Sequence, residues 1–151
     1  AVISPLRADP KLCNAGESPL DCELRAWKPS IVFVSMETWW SQKPAEEYDK
    51  YMRNVLDRII EFGAVPIIAT KADNLEGDHA INNAIAQLAY EYEIPMWNFW
   101  AAVERLPNRG LYTRDDRPLQ GDIYLTDEAK EIHRMTALEV LNVVWRSVAG
   151  K

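Results

Sequence analysis

Acyl or proton transfer could be carried out by three side chains together, those of Ser35, Glu37 and His133. The chain holds two histidines, His79 and His133, and an imidazole is the usual general base near neutral pH. His133 would need a nucleophile within hydrogen-bonding reach, and Ser35, at the end of an apolar run, is the attractive candidate, with Glu37 close by. The competing interpretation, which the sequence favours, is that both histidines are surface or packing residues.

Acidic residues follow several of the apolar runs. Glu37, Asp73 and Asp122 are predicted just beyond strands or in the next loop, at the edge where open α/β sheets bind ligands. Together they could form an acidic crevice for a hard cation, but a calcium site needs about six or more oxygen ligands. We therefore expect solvated loop carboxylates, with no metal and no cofactor.

Tryptophans also cluster near the predicted strand ends. Trp97 and Trp100 are expected to pack between a strand and a helix, whereas the adjacent pair Trp39 and Trp40 is harder to bury together. Such flat rings can stack on a sugar or contact a protein partner. The predicted ligand-binding residues are Trp39, Trp40, Asp73, Asn98, Asp122 and Tyr124.

Cys13 and Cys22 are the two cysteines of the chain, and they flank a stretch containing Gly, Ser and Pro. A disulfide would close this short loop and constrain the N-terminal segment. The alternatives are two free thiols or, less favoured, a zinc pair, for which companion ligands are missing. A disulfide predicts a location outside the cytosol, secreted or in the cell envelope.

Apolar patterning supplies the elements that would position these residues. The predicted strands are Ile31–Val34, residues 65–70 and residues 94–99. Apolar residues at helical spacing predict helices between Pro44 and Gly63, from about Asp78 to Tyr92, and over residues 127–148. Because strands and helices alternate, the strands should be parallel, with helices packed on the sheet.

Residues 1–29 show no apolar period and are predicted to be an irregular N-terminal arm, and residues 30–151 form the α/β domain. The net charge of −6 argues against a nucleic-acid partner, because phosphate backbones attract clustered Lys and Arg. No apolar run approaches the roughly 20 residues that span a bilayer. We therefore predict neither nucleic-acid binding nor a membrane span.

The segments "GAVPIIAT", "LAYEYEIPMWNFWAAV" and "IYLTDEA" resemble those of the SGNH/GDSL hydrolases. "CNAGESPLDCELRAWKPSIVFV" and "LPNRGL" look like a bacterial, secreted branch of that family, and the resemblance covers about residues 13–146. It implies a three-layer αβα fold with a parallel, flavodoxin-like sheet. The activity it implies is hydrolysis of carboxyl esters by lipase- or acylesterase-type enzymes.

The family's catalytic residues do not transfer onto this sequence. The family uses a Ser in a "GDS" block, an Asn in "GxND" and a "DxxH" motif, and no "GDS" occurs here. Residues 35–38 read "SMET", which puts Glu37 in place of the oxyanion-binding Asn, and residues 121–126 read "GDIYLT". Tyr124 then replaces the base His, and Gly121 replaces its Asp partner.

These departures favour a non-catalytic binding or structural subunit over a hydrolase that uses displaced or partner-supplied residues. In the family, the "GDS" strand lies beside the equivalent of Ile31–Val34, so the resemblance implies that this strand is a sheet edge here. An apolar edge must be covered. We expect the N-terminal arm folded back as a strand, another copy of the chain, or a second polypeptide to cover it. A glycan or a small ester is the expected small ligand.

Overall fold

The computed structural model describes residues 2–35, 44–119 and 121–149. Within these ranges, three strands, β1 (Ile31–Val34), β2 (Val65–Ala69) and β3 (Met96–Trp97), form a parallel sheet in the order β1-β2-β3. Ile31 pairs with Val65, and Ala69 pairs with Trp97. The predicted α/β class with a parallel sheet is confirmed.

Five α-helices in the described part of the chain accompany the sheet. They are α1 (Pro19–Trp27), α2 (Ala45–Phe62), α3 (Ala80–Glu91), α4 (Phe99–Val103) and α5 (Asp127–Ala149). Successive strand residues point to opposite faces of the sheet, so Ile68 packs with α1, α2 and α3, whereas Ile67 packs with α4 and α5. The sheet therefore separates two hydrophobic layers.

Helix α2 shows how the sequence pattern produces this packing. Its inner face carries Met52, Leu56 and Ile59, three and four residues apart, and all three are buried. The helix ends at Gly63, whose φ of 92° is in the left-handed region that glycine adopts without a Cβ penalty. The predicted helix between Pro44 and Gly63 is confirmed.

The prediction of an irregular arm over residues 1–29 is wrong for α1. Ser18 caps this helix by accepting a hydrogen bond from the Asp21 N–H, while the Asp21 side chain accepts one from the Ser18 N–H. Pro19 fits the first helical turn, where its missing N–H has no partner to lose. Leu24 is buried in the layer that contains α2. The Ser-x-x-Asp pattern of Ser18 and Asp21, which indicates the start of a helix, can be read from the sequence.

The third predicted strand was too long. Of residues 94–99, β3 occupies Met96–Trp97, and Phe99 already belongs to α4. The reason is Asn98, whose side-chain oxygen accepts a hydrogen bond from the Ala101 N–H at 3.1 Å and so caps α4. The chain turns from strand to helix within one residue.

Two further helix starts can be compared with the predictions. α3 begins at Ala80, two residues after the predicted start at about Asp78, and Asp78 Oδ1 accepts a hydrogen bond from the Ala80 N–H at 3.0 Å. α5 begins at Asp127, as predicted, and Thr126 Oγ1 accepts a hydrogen bond from the Ala129 N–H at 3.2 Å. In the described part of the chain, no helix is long and apolar enough to cross a membrane.

The loop between α4 and α5 lies against the start of α5. A 3₁₀ turn at Pro107–Gly110 precedes an antiparallel bridge between Leu111 and Leu125. At Gly110 a Cβ atom would lie 2.5 Å from the Cβ of Ala129, so only glycine allows this close approach. The contact fixes the loop beside the helix that carries His133.

Candidate active site at the carboxyl end of the sheet

Polar side chains follow each strand at its carboxyl end. Ser35 comes directly after β1, Thr70 after β2 and Asn98 after β3. Because the strands are parallel, all three residues lie along the same edge, where ligands bind in open α/β sheets. The candidate site is built from this row and from α5.

Ser35 and His133 meet at this edge. Ser35 Oγ lies 3.4 Å from His133 Nε2, across a separation of 98 residues in the chain. Ser35 is exposed and His133 is half-buried. A hydroxyl can donate to a neutral Nε2, which is the relation of a nucleophile to its general base. The structure therefore brings together Ser35 and His133, which the sequence analysis named as a candidate nucleophile and general base.

Aromatic packing holds the His133 ring in place. The ring centroids of Trp97 and Phe99 lie 4.5 and 4.8 Å from that of His133. Trp97 Nε1–H also donates to Thr136 Oγ1 at 3.1 Å, and the Thr136 hydroxyl donates to the Ile132 carbonyl at 2.8 Å. His133 thus packs against β3 and also reaches the end of β1.

Three of the predicted site residues, Glu37, Trp39 and Trp40, lie outside the described residues. The placement of Glu37 at an oxyanion position and of the two tryptophans at a ligand remains a prediction. Trp97 is buried, as expected for a packing residue. Trp100 is half-buried between the His79 ring, 4.8 Å away, and the Arg109 guanidinium, 4.7 Å from the ring centroid.

Asn98 lines a cavity of about 340 Å³, whose other lining residues include Thr70, His79, Asn82 and Trp100. Its side-chain oxygen accepts hydrogen bonds from the Ala101 N–H and from the Thr70 hydroxyl, at 3.1 and 3.3 Å. These bonds connect the end of β2 to the start of α4. The Asn98 oxygen therefore has a structural role at the wall of this cavity.

The expectation that Asp73 is a solvated loop carboxylate is wrong. Asp73 is 1% exposed, and Lys71 Nζ lies 2.6 Å from both Asp73 Oδ1 and Glu76 Oε2. Burial raises the pKa of the Asp73 carboxyl, while the Lys71 ammonium opposes that shift. The lysine side chain folds back into its own loop and supplies the cation that this carboxylate needs.

Asp122 and Tyr124 lie in the loop before α5. Asp122 forms an ion pair with Arg114 at 3.0 Å and accepts a hydrogen bond from Asn108 Nδ2 at 3.2 Å. Tyr124 is 55% exposed, and its carbonyl accepts a hydrogen bond from the Tyr112 N–H. Within the described residues, the recorded partners of Asp122 and Tyr124 lie in this loop and include neither Ser35 nor His133.

The disulfide is confirmed. Cys13 and Cys22 are bonded, with their Cα atoms 5.3 Å apart. Glu17 lies between them in sequence and forms an ion pair with Arg25, which holds the pKa of the Glu17 carboxyl at about 2. Cys13, Glu17 and Cys22 lie close together, but the two sulfurs are bonded to each other and therefore offer no thiolates to a metal.

Strand β1 has an open outer edge. The Val65 N–H donates to the Ser30 carbonyl at 2.9 Å, which fixes the main-chain groups that face β2. Since these groups alternate along a strand, those of Ile31 and Phe33 face outward. No strand pairs with this edge among the described residues. The arm-as-strand alternative is therefore wrong for residues 2–30, which contain no strand.

An apolar cavity of about 380 Å³ lies along the same edge, on the side of α2. Val2 lies at its rim, where the Val2 N–H donates to the Tyr51 hydroxyl and the Val2 carbonyl accepts from the Leu20 N–H, both at 2.9 Å. The lining also includes Val32, Val34, Met52 and Val55. The four residues of β1 are half-buried rather than exposed. The arm covers part of the α2 side and leaves the strand's outer main-chain groups unpaired within the described residues.

The chain matches no protein-family model, no curated protein and no solved structure.

Proposed function

We propose that this chain is an SGNH-hydrolase-like domain that acts as a non-catalytic binding or assembly subunit. The observation that carries the proposal is the outer edge of β1, which is unpaired among the described residues and bordered by an apolar cavity of about 380 Å³. The Cys13–Cys22 disulfide supports a location outside the cytosol, in the secreted or cell-envelope fraction.

The open edge offers two kinds of interaction at once. The outward N–H and C=O groups of Ile31 and Phe33 can pair with another extended backbone, as in β-strand addition. The apolar side chains on both faces of β1 already pack into the two layers of the domain. A partner strand would therefore gain main-chain hydrogen bonds and apolar contacts together.

The sequence of the site supports the absence of the family's chemistry. An anionic Glu37 in place of an amide would oppose the negative charge that develops in acyl transfer. Tyr124 stands where the resemblance expects the base His, and a phenol lacks the imidazole nitrogen that usually serves as general base near neutral pH. Both changes lie within the part of the chain that resembles the family.

Ester hydrolysis is the second candidate function, and the contact between Ser35 Oγ and His133 Nε2 at 3.4 Å favours it. In this reaction Nε2 removes the hydroxyl proton as Oγ attacks the ester carbonyl carbon. The imidazolium then returns that proton to the leaving alcohol, which yields an acyl-Ser35. Water, deprotonated by His133, then attacks the acyl group, and the imidazolium returns this proton to Ser35 Oγ as the carboxylic acid leaves.

One assay separates the two functions. Hydrolysis of a short-chain p-nitrophenyl ester is measured for the full chain and for Ser35→Ala, with Ser30→Ala as the control because Ser30 is an exposed serine just before the same strand. Rates at the uncatalysed background, together with no labelling by a serine-reactive phosphonate, are expected for a binding subunit. Turnover that Ser35→Ala and the phosphonate abolish, and that Ser30→Ala retains, would establish the hydrolase instead.

A further inference from the structure

We propose that the cavity of about 340 Å³ at the carboxyl ends of β2 and β3 binds a neutral sugar of the size of a single hexopyranose ring. The inference goes beyond the proposed function, which concerns the edge of β1, because the two cavities have no lining residue in common. Three observations lead to it: the position of the cavity, the kinds of side chain that line it, and the hydrogen-bonding groups that remain free there.

The cavity lies on the α3 side of the sheet, at the edge where open α/β sheets bind ligands. Met96 lines it, whereas the neighbouring Trp97 packs in the α5 layer, since successive strand residues point to opposite faces. His133 contacts Trp97 in that other layer. The cavity and His133 are therefore on opposite faces of the sheet, and the proposed site is separate from the Ser35–His133 pair.

The lining is polar but uncharged. Among the described residues, it includes no carboxylate, lysine or arginine, and it combines three amides, a hydroxyl, an imidazole and an indole, from Asn82, Asn83, Asn98, Thr70, His79 and Trp100. Amides can donate and accept hydrogen bonds, as sugar hydroxyls do, and an indole presents an apolar face to the C–H groups of a sugar ring. The lining therefore matches an uncharged ligand that is rich in hydroxyls and apolar on one face.

Other classes of ligand fit this lining less well. The nearby Lys71 ammonium is taken up by the carboxylates of Asp73 and Glu76, each 2.6 Å away. The Arg109 guanidinium lies 4.7 Å from the Trp100 ring centroid and does not line the cavity. An anion, including the phosphates of a nucleotide, would meet no cation in the described lining, and a metal ion would meet no carboxylate. A purely apolar ligand would leave the amides without partners, which is costly.

Two of the lining side chains hold the walls of the cavity in place. Asn82 Oδ1 accepts a hydrogen bond from the Lys71 N–H at 2.9 Å, and Asn82 Nδ2 donates to the Lys71 carbonyl at 3.1 Å. Thr70 Oγ1 accepts from the Trp100 N–H at 2.9 Å and donates to Asn98 Oδ1 at 3.3 Å. These bonds join the end of β2 to α3 and to α4. The cavity is therefore organised before a ligand enters, which reduces the entropy lost on binding.

The amides of Asn83 and Asn98 have groups left over for a ligand. Asn98 uses its side-chain oxygen to accept from Thr70 and from the Ala101 N–H, and its Nδ2 has no partner among the described residues. Asn83 lies on α3, and its side-chain amide likewise has no partner in the described part of the chain. The two amides stand on different walls, one on α3 and one at the start of α4, so together they can contact a ligand from two sides.

His79 supplies a further donor, because its hydrogen bonds fix the position of its proton. Asn74 Oδ1 accepts from the His79 main-chain N–H at 2.9 Å, so the amide group that lies 3.3 Å from His79 Nε2 is Asn74 Nδ2. An amide nitrogen only donates, and Nε2 must therefore accept. The ring is then neutral, with its proton on Nδ1. This N–H is left to donate to a ligand oxygen.

The test is a ligand-observed NMR titration of the full chain with the methyl glycosides of glucose, galactose, mannose and N-acetylglucosamine. We expect saturation transfer to at least one of them, with a dissociation constant on the order of 1 mM, as is usual for ligands of this size. Adenosine, octanoate and glucuronic acid represent a planar base, an apolar chain and an anion. Each should bind about tenfold more weakly, because each leaves polar groups unpaired or a charge uncompensated.

Two variants locate the binding site. Asn83→Ala removes a free amide from an exposed position of α3 and should raise the dissociation constant about threefold to tenfold. Ala86→Leu places a larger side chain in the cavity, also from an exposed position of α3, and should raise it about tenfold or more through steric conflict. Gln87→Ala is the matched control, because Gln87 lies on the same helix and lines a neighbouring groove but not this cavity. Alanine and leucine favour helices, and circular dichroism melting checks that each variant folds.

Saturation transfer to none of the four glycosides would overturn the sugar site. Binding that Asn83→Ala and Ala86→Leu both leave unchanged would place the sugar elsewhere and overturn the site as well. Tighter binding of adenosine, octanoate or glucuronic acid would overturn the class of ligand. Because Ser35 does not line this cavity, ester hydrolysis in the assay described above would overturn the non-catalytic function alone, and failure to bind glycosides would overturn the sugar site alone.

Discussion

The two outer strands of the sheet, β1 and β3, differ in length and in what lies beside them. β3 has two residues, and the chain turns into α4 directly after it, while Trp97 is buried against α5. β1 has four residues, all half-buried, and its outer edge borders an apolar cavity. Natural sheets protect edges by shortness and coverage. β3 is protected by its shortness, whereas the outer edge of β1 has no strand paired with it among the described residues and is the edge at which we propose that a partner binds.

The largest effect that tests this comparison comes from its two aromatic residues. Trp97→Ala should lower the free energy of unfolding by about 3–5 kcal/mol, because it leaves a cavity in a buried layer. Phe33→Ala should cost about half as much, since Phe33 is half-buried at the open edge. Urea unfolding followed by circular dichroism gives both values. Equal costs would show that the β1 edge is as well covered as β3.

A second prediction concerns the buried carboxyl of Asp73, in the loop that follows β2, the strand between the two edges. Burial raises the pKa of Asp73 in the folded chain above its ordinary value of 3.8, so the folded state holds its proton more tightly than the unfolded state. The contribution of Asp73 to stability is therefore full below pH 3.8 and is lost as the pH rises through the folded-state pKa. The slope cannot exceed about 1.4 kcal/mol per pH unit for one proton.

Asp73→Asn should remove this part of the pH dependence. The free energy of unfolding is measured from pH 3.5 upward in wild type and variant, and the difference between them is plotted against pH. An identical pH dependence in both proteins would mean that the Lys71 ion pair fully compensates the burial of Asp73.

The smallest expected effect is at the wall of the cavity beside β1. Ser18→Ala removes the hydroxyl that caps α1, and the loss of such a cap costs about 1 kcal/mol. Because Pro19 and Leu20 of α1 line the cavity, this variant should also increase amide hydrogen exchange in β1 more than in β3. Equal exchange in both strands would show that α1 does not protect the open edge.

The sequence predicts the elements that have a long apolar period, and it predicts their boundaries less well. α2 and α5 were predicted within one or two residues, because apolar residues repeat at helical spacing along the whole length of both helices. α1 was missed because its helical signal is a cap followed by few buried residues. β3 was predicted too long because Asn98 was not recognised as a cap, although Asn is a common capping residue.

The candidate site was harder to predict than the fold. Whether His133 reaches Ser35 depends on the rotation of α5 about its own axis. That rotation is set by Trp97, far away in the chain, which contacts His133 and Thr136 on this helix. Asp73 was expected in solvent because loops after strands are usually hydrated. Its burial depends on Lys71, whose long side chain folds back over the loop. Neither fact follows from local sequence spacing.

The Cys13–Cys22 disulfide has a consequence for the unfolded chain. Its two cysteines are 9 residues apart, so the bond closes a short loop and lowers the conformational entropy of the unfolded segment that leads into α1. Because Pro19 and Leu20 of α1 line the cavity beside β1, the bond stabilises one wall of that cavity against unfolding.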